Sequence, residues 1–263
     1  MEVRPPRFLD LPQRSAKPRR SGLTHVLDQG AGPAATADVL TSAAAHLDIW
    51  KIGWGTAYVD PALGAKLAQL ARHDIAVCLG GTLLEIAWAQ GRAAECLAWA
   101  RDAGFGLVEV SRGTVAMTLP EKRALIRQAA AEFTVLAEVG AKAPGEQLAA
   151  RRWPAECRSD LDAGATLVVT EGRQSGTVGT FDDAGRVRPD VVEAVVAAVG
   201  VERIVFEAPR AAQQAWFIRR FGPEVNLGNV ALADVLSVET LRLGLRSDTA
   251  VVVSRDEAGS ELA

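Results

Sequence analysis

Eight short apolar runs rich in β-branched residues recur along the chain, separated by longer segments of helical period. A run of this length that ends in glycine is typical of a buried strand, and strands that alternate with helices form parallel sheets. Eight such units in 263 residues predict an α/β protein with a closed (β/α)8 TIM-barrel fold, which typically takes ~250 residues. The predicted strands are His25–Gly30, Leu47–Gly53, Ile75–Gly80, Leu107–Gly113, Thr134–Gly140, Thr166–Arg173, Arg203–Pro209 and Val225–Val230.

A short basic arm precedes the first predicted strand, and a mostly polar tail follows the last predicted helix. We expect an N-terminal arm over residues 1–22, a barrel over residues 23–248 and a C-terminal tail over residues 249–263. No linker rich in proline and glycine interrupts the barrel segment, so the sequence predicts a single domain.

The composition argues against several classes of partner. The net charge is −3, from 29 basic and 32 acidic side chains, so no overall field attracts nucleic acid or an anionic membrane. The three cysteines form no CxxC pair, and neither a signal peptide nor an apolar run of ~18 residues is present. With only three histidines, any metal must take mainly oxygen ligands. We expect a soluble, cytoplasmic protein that acts on small molecules.

Polar side chains end most of the predicted strands. In a (β/α)8 barrel the functional site lies at the carboxyl ends of the strands, and side chains two apart on a strand share a face. An ion-pair network that closes the barrel explains any single one of them equally well. Burying the whole set is costly without a ligand or a metal. These residues are Asp28, Lys51, Glu109, Ser111, Glu138, Lys142, Glu171, Arg173, Glu207, Asn226 and Asn229.

Two glycine-containing segments favour an anionic ligand. Gly80–Thr82 follows the third predicted strand, and Asn226–Asn229 lies on the eighth, in the region where these barrels usually bind phosphate. Together with Lys51, Lys142 and Arg173 at the same mouth, they predict a phosphorylated or carboxylated substrate. The predicted binding residues in these segments are Gly81, Thr82, Asn226, Gly228 and Asn229.

The ordered motifs at the strand ends resemble the phosphosulfolactate synthase family, from about Phe8 to Asp248. The segments that carry the resemblance are RSAKPRRSGLTHVLDQG, KIGWGT, GGTLLE, VEVSRGT, AEVGAK, EGRQSG, EAP with the following QQ, NLGNV and LRLGLRSDT. The resemblance implies a barrel enzyme, usually dependent on Mg²⁺, that adds sulfite to phosphoenolpyruvate on the way to coenzyme M or sulfolactate.

The resemblance also implies roles for the polar residues. Lys142 would protonate the substrate carbon C2, with Lys51 and Glu138 as further catalytic residues. Arg173, Lys51, Ser111 and the two glycine-containing segments would hold the substrate, and Arg19 of the basic arm would close over the mouth. The expected metal ligands are Glu109, Glu138 and Glu171, with Asp28 and Glu207 as alternatives.

Two positions depart from the family pattern. Arg112 stands where a small acidic or amide residue is usual, and Gln174 where glutamate is usual, which predicts a mouth suited to a different anionic nucleophile. A Schiff-base aldolase using Lys142 and a non-catalytic, stress-associated relative are the alternatives. Apolar patches on the outer helices predict a homo-oligomer.

Overall fold

The computed structural model describes residue 6, residues 8–140 and residues 152–250. Within these residues eight parallel strands close into a barrel in chain order, and the last strand pairs with the first. The predicted (β/α)8 fold is therefore confirmed. The strands are β1 Thr24–Asp28, β2 Ile49–Ile52, β3 Ala76–Leu79, β4 Leu107–Val110, β5 Thr134–Val139, β6 Leu167–Thr170, β7 Ile204–Glu207 and β8 Asn226–Val230.

The α-helices of the described residues follow the strands and pack on the outside of the barrel. Two of them, α5 and α8, end at Gly104 and Gly200, where positive φ angles of 100° and 83° suit glycine. The helices are α1 Pro33–Ala43, α2 Thr56–Val59, α3 Leu63–Ala71, α4 Gly81–Ala89, α5 Ala93–Ala103, α6 Leu119–Ala129, α7 Trp153–Asp162, α8 Pro189–Val199, α9 Ala211–Phe221 and α10 Val235–Arg242.

Most predicted strands extend past the observed ones at the carboxyl end. The sixth predicted strand runs to Arg173, whereas β6 ends at Thr170. Beyond that point the N–H groups of Gly172 and Arg173 donate to side-chain carboxylates instead of a neighbouring strand. Apolar patterning locates a strand, but these side-chain contacts decide where it ends.

The barrel interior is built in two layers. Its lower layer is apolar and consists of Leu23, Ile49, Cys78, Leu107, Leu136, Val169 and Val205. The residues two positions further along five of these strands are charged: Lys51, Glu109, Glu138, Glu171 and Glu207. Since side chains two apart share a face of a strand, these charges form a layer directly above the apolar one, at the carboxyl end.

The N-terminal arm lies against the amino end of the barrel. Arg14 pairs with Glu224 and Glu239, and Arg19 pairs with Asp48 at 3.1 Å. Asp48 directly precedes β2, and Glu224 lies two residues before β8. Both therefore lie at the end of the barrel opposite the charged layer. The expectation that the arm closes over the mouth, with Arg19 at the substrate, is therefore wrong, because acidic residues at the strand starts hold the arm elsewhere.

None of the helices in the described ranges has the length and apolar character that crossing a bilayer requires.

The three cysteines are free. Burial raises the pKa of each thiol, to about 12 for Cys157. None of them therefore offers a reactive thiolate near neutral pH.

Candidate active site

A cavity of about 540 Å³ opens at the carboxyl ends of the strands. This is the end at which the βα loops of such barrels carry their functional groups. The predicted site residues in its wall are Lys51, Gly81, Thr82, Glu109, Glu138, Glu171, Arg173, Asn229 and the alternative Glu207. Folding thus brings most of the predicted set into one cavity.

Lys51 is a buried cation in this cavity. Its Nζ donates to Glu109 Oε2 at 3.0 Å and to Glu207 Oε1 at 2.9 Å, and its side chain is only 5% exposed. Burial by itself lowers the pKa of Lys51. The charges of Glu109, Glu207 and Glu138 outweigh this effect and hold the pKa well above its ordinary value. Lys51 therefore keeps its proton and acts as a fixed positive charge.

Glu207 also fixes the loop that follows β6. Its Oε2 accepts hydrogen bonds from the backbone N–H groups of Gly172 at 2.9 Å and Arg173 at 3.0 Å. The N–H of Arg173 donates in addition to Glu171 Oε1 at 2.8 Å. Two carboxylates thus set this loop, and the Arg173 side chain is exposed in the cavity wall.

Three buried carboxylates form the set that fits a metal ion. Oxygen atoms of Glu109, Glu138 and Glu207 lie within 4.8 Å of one another, and carboxylate oxygens are the ligands that Mg²⁺ prefers. Among the residues that the structure describes, Lys51 is the cation that contacts this set of three formal negative charges, so a divalent ion would neutralise the surplus. This set contains Glu207 in the place predicted for Glu171.

Asp28, the other alternative ligand, belongs to a different network. Its carboxylate accepts from Lys66 Nζ at 2.8 Å and from Trp50 Nε1 at 2.9 Å. It also accepts from the backbone N–H groups of Gly30 and Ala31. Asp28 therefore secures the turn after β1 and the contact with α3, away from the cavity.

Gly81, the second glycine after β3, packs closely against β4 and helps to orient the carboxylate of Glu109. The N–H of Gly81 donates to Glu109 Oε1 at 3.1 Å, so a protein carboxylate engages the group that was predicted to bind the ligand. A Cβ at Gly81 would overlap the hydroxyl of Ser111. Ser111 is buried and donates to Glu85, and it lies behind the cavity wall. Thr82 lines the wall.

The predicted residues of β8 are divided between the two ends of the barrel. Asn226 begins the strand, and its amide bonds to the backbone of Leu23 and Ile204, so its predicted role in binding substrate is wrong. Gly228 leaves room for the buried ring of His25, because a Cβ there would lie 3.0 Å from Nδ1. Asn229 lines the cavity, and its buried Oδ1 has no hydrogen-bond partner among the described residues.

Glu85 is a functional residue that sequence reasoning missed. It is buried on α4, and its carboxylate accepts from the backbone N–H groups of Gly113, Thr114 and Val115 at 3.3, 2.6 and 3.2 Å. Thr114 lines the cavity, so Glu85 shapes the wall through the loop after β4. The signal available in the sequence was a single charged residue in the otherwise mostly apolar segment Gly81–Ala89.

We expect Glu85→Gln to lower the free energy of unfolding by about 2–3 kcal/mol, because an amide cannot accept from these donors with both of its polar atoms. Urea denaturation measures this change. The matched control is Glu95→Gln, since Glu95 lies on α5 with its side chain 66% exposed, and it should change stability by less than ~0.5 kcal/mol. An equal effect of the two substitutions would contradict the role of Glu85.

The two positions that were predicted to depart from the family pattern lie in different surroundings. Gln174 lines the cavity. The guanidinium of Arg112 instead points to Glu156 of α7, with both hydrogen bonds at 3.4 Å. The expectation that Arg112 adds a cation to the mouth is therefore wrong. Lys142 lies outside the described residues.

The protein is a closed (β/α)8 barrel with a charged cavity at the carboxyl ends of its strands. Enzymes of this fold that act on small molecules carry their active sites at this end. Residues 12–248 match the family (2R)-phospho-3-sulfolactate synthase (ComA). The chain belongs to this family of enzymes.

The relatives agree with this assignment. The phosphosulfolactate synthase of Bacillus subtilis (strain 168) is 39% identical over 246 residues, which cover 92% of this chain and 97% of the relative. That of Methanothermobacter thermautotrophicus is 39% identical over 90% of this chain and 95% of the relative. A crystal structure of 3-hexulose-6-phosphate synthase from Salmonella typhimurium is 17% identical, with a TM-score of 0.51, covering 86% of this chain and 92% of that one. The last likeness shows the fold alone.

Proposed function

We propose that this chain adds sulfite to phosphoenolpyruvate and forms phosphosulfolactate. The observation that carries the proposal is the buried Lys51 among Glu109, Glu138 and Glu207, at the mouth of a barrel of this family. In this reaction the sulfur lone pair forms a bond to C3 of the enol phosphate. The π electrons move to C2 and the carboxylate, and C2 then takes a proton, so the phosphate ester is retained.

The described side chains suit the charges of this reaction. Lys51 holds its proton firmly, so it supports binding of anions and stabilises negative charge that develops near it. Arg173 offers a guanidinium whose fork geometry matches a phosphate or a carboxylate, and it is exposed in the cavity wall. Asn229 and Thr82 supply neutral polar atoms beside these cations.

Glu109, Glu138 and Glu207 are the residues that would hold Mg²⁺. When bound there, the ion would stabilise the negative charge that builds up on the substrate carboxylate. We expect removal of divalent ions by a chelator to abolish turnover and added Mg²⁺ to restore it. Full activity in excess chelator would contradict the assignment.

A variant pair tests the ligand set by concentration dependence. Glu138→Gln should raise the Mg²⁺ concentration for half-maximal activity by at least about tenfold, as loss of a metal-site contact does. Glu132→Gln is the control, since Glu132 is exposed and pairs with Arg101. Equal Mg²⁺ dependence in both variants would remove Glu138 from the set.

Lys142 is the proposed proton donor to C2, a role that rests on the family resemblance. The competing Schiff-base reaction would place a covalent adduct on this lysine. Borohydride treatment during turnover separates the two, because proton donation leaves no trapped adduct. An adduct on Lys142, with activity indifferent to chelator, would favour the aldolase reaction.

The proposal as a whole is tested by incubating the purified protein with phosphoenolpyruvate, sulfite and Mg²⁺. We expect mass spectrometry to show a product with the combined mass of phosphoenolpyruvate and bisulfite. Absence of this product with every divalent ion tried would overturn the sulfite assignment.

A further inference from the structure

A second cavity, of about 530 Å³, lies between α6 and α7. Its volume falls within the range of sites for small molecules, roughly 300–1,000 Å³. The basic side chains in its wall are Arg112, Arg123 and Arg152, and Glu156 is its acidic one. Asp160 of α7 also acts on Arg123, and Lys122 pairs with both Glu156 and Asp160. Four cations against two carboxylates leave a positive surplus.

Glu156, the acidic residue in the cavity wall, accepts hydrogen bonds from both Lys122 and Arg112. Glu156 accepts from Lys122 Nζ at 3.1 Å, and its two contacts with Arg112 are both 3.4 Å long. An Arg–carboxylate pair with good geometry is considerably shorter, near 2.7–2.9 Å. The long contacts of Arg112 leave its guanidinium, which lines the cavity, suited to a stronger anionic partner there.

Two further features point to an anion. Arg123 lines the cavity, and its buried Nε has no hydrogen-bond partner among the residues that the structure describes. Ala155 and Glu156, also in the wall, belong to the first turn of α7, a ten-residue helix that begins after Arg152. The N–H groups and the dipole at such an end favour negative charge.

We propose that this cavity binds a small phosphorylated metabolite, whose dianionic phosphoryl group is held by Arg112, Arg123 and Arg152. Planar guanidinium groups bind phosphate oxygens in pairs. The site is separate from the catalytic cavity, although one loop serves both: Thr114 lines the first cavity and Arg112 the second. This gives Arg112, which does not reach the catalytic cavity, a function of its own.

The test is residue-specific labelling of the whole protein by phenylglyoxal, with inorganic phosphate as the probe and chloride at equal ionic strength as the reference. Peptide mass spectrometry then measures the labelling rate at each arginine. Phosphate at five times its Kd should slow labelling of Arg112 and Arg123 about sixfold by mass action. Arg127, exposed one turn further along α6, should be unaffected.

Each result decides the matter. Equal rates at Arg123 with and without phosphate, or changes that only parallel those at Arg127, would overturn the proposal. Protection at Arg173 alone would place phosphate in the catalytic cavity, which would support the proposed function and still overturn the second site. Protection by malonate but not by phosphate would overturn the phosphoryl assignment.

A pair of variants gives an independent check. Arg123→Gln should abolish the protection of Arg112 by phosphate, whereas Arg127→Gln should preserve it. Undiminished protection of Arg112 in the Arg123→Gln protein would contradict the proposed cluster. If Arg123→Gln does not fold, the labelling experiment on the protein without substitutions still decides between the outcomes.

Discussion

Replacing Lys51 by methionine is expected to lower kcat/KM by at least about a thousandfold, comparable to the loss of a strong electrostatic contact in a buried active site. The substitution removes the cation that contacts Glu109 and Glu207. The two carboxylates are then left buried without it, which typically costs about 3–5 kcal/mol of stability. Steady-state kinetics and urea denaturation measure the two effects.

Lys66→Met is the matched control for this prediction. Lys66 is also fully buried and pairs with two carboxylates, those of Asp28 and Asp60, at 2.8 and 3.0 Å. It belongs to the layer between barrel and helices, so its loss should destabilise the protein while leaving kcat/KM of the folded enzyme nearly unchanged. If Lys51→Met kept kcat/KM within tenfold of the original, the role of Lys51 in the reaction would be wrong.

Lys142→Met and Arg173→Met should affect different kinetic constants. Loss of a general acid typically costs about 10²–10⁴ in rate, so Lys142→Met should collapse kcat while substrate affinity changes by less than about tenfold, or ~1.4 kcal/mol. Arg173 cannot practically lose its proton, and its loss should instead weaken substrate binding by a larger factor. Steady-state and single-turnover kinetics separate the two effects.

Two results would contradict these roles. Near-normal turnover of Lys142→Met, under conditions where the chemical step limits the rate, would show that another group protonates C2. Unchanged affinity in Arg173→Met would remove Arg173 as the anion contact, although its side chain lies in the cavity wall.

The barrel was predictable from the sequence because each strand is local. An apolar run followed by a helix carries its own pattern, and the carboxyl end of each run shows where Lys51, Glu109 and Glu138 converge. The sequence could not predict that the candidate metal-binding set contains Glu207 and not Glu171. Both lie on the same face at the carboxyl ends of neighbouring strands, and only the folded barrel shows that the oxygens of Glu207 lie within 4.8 Å of those of Glu109 and Glu138.

Strand direction explains one error that the sequence itself could have prevented. Asn226 precedes Gly228 by two residues, and a strand rises about 3.3 Å per residue, so the first residue of β8 lies toward the amino end. Arg19 and Arg112 are errors of another kind. Arg112 follows β4 at the expected end of the barrel, but its side chain turns to Glu156. Arg19 precedes β1 and pairs with Asp48 at the amino end, and only the resemblance placed it at the mouth.

The proposed reaction forms a carbon–sulfur bond at C3 of phosphoenolpyruvate and protonates C2. The most direct measurement is ¹³C NMR of [3-¹³C]phosphoenolpyruvate incubated with the enzyme, sulfite and Mg²⁺ in D₂O. We predict that the vinyl methylene signal is replaced by that of a saturated methylene carbon bonded to a sulfonate, with one deuterium on the neighbouring carbon. A labelled carbon that stays vinylic, or that becomes the methyl group of pyruvate, would contradict the account.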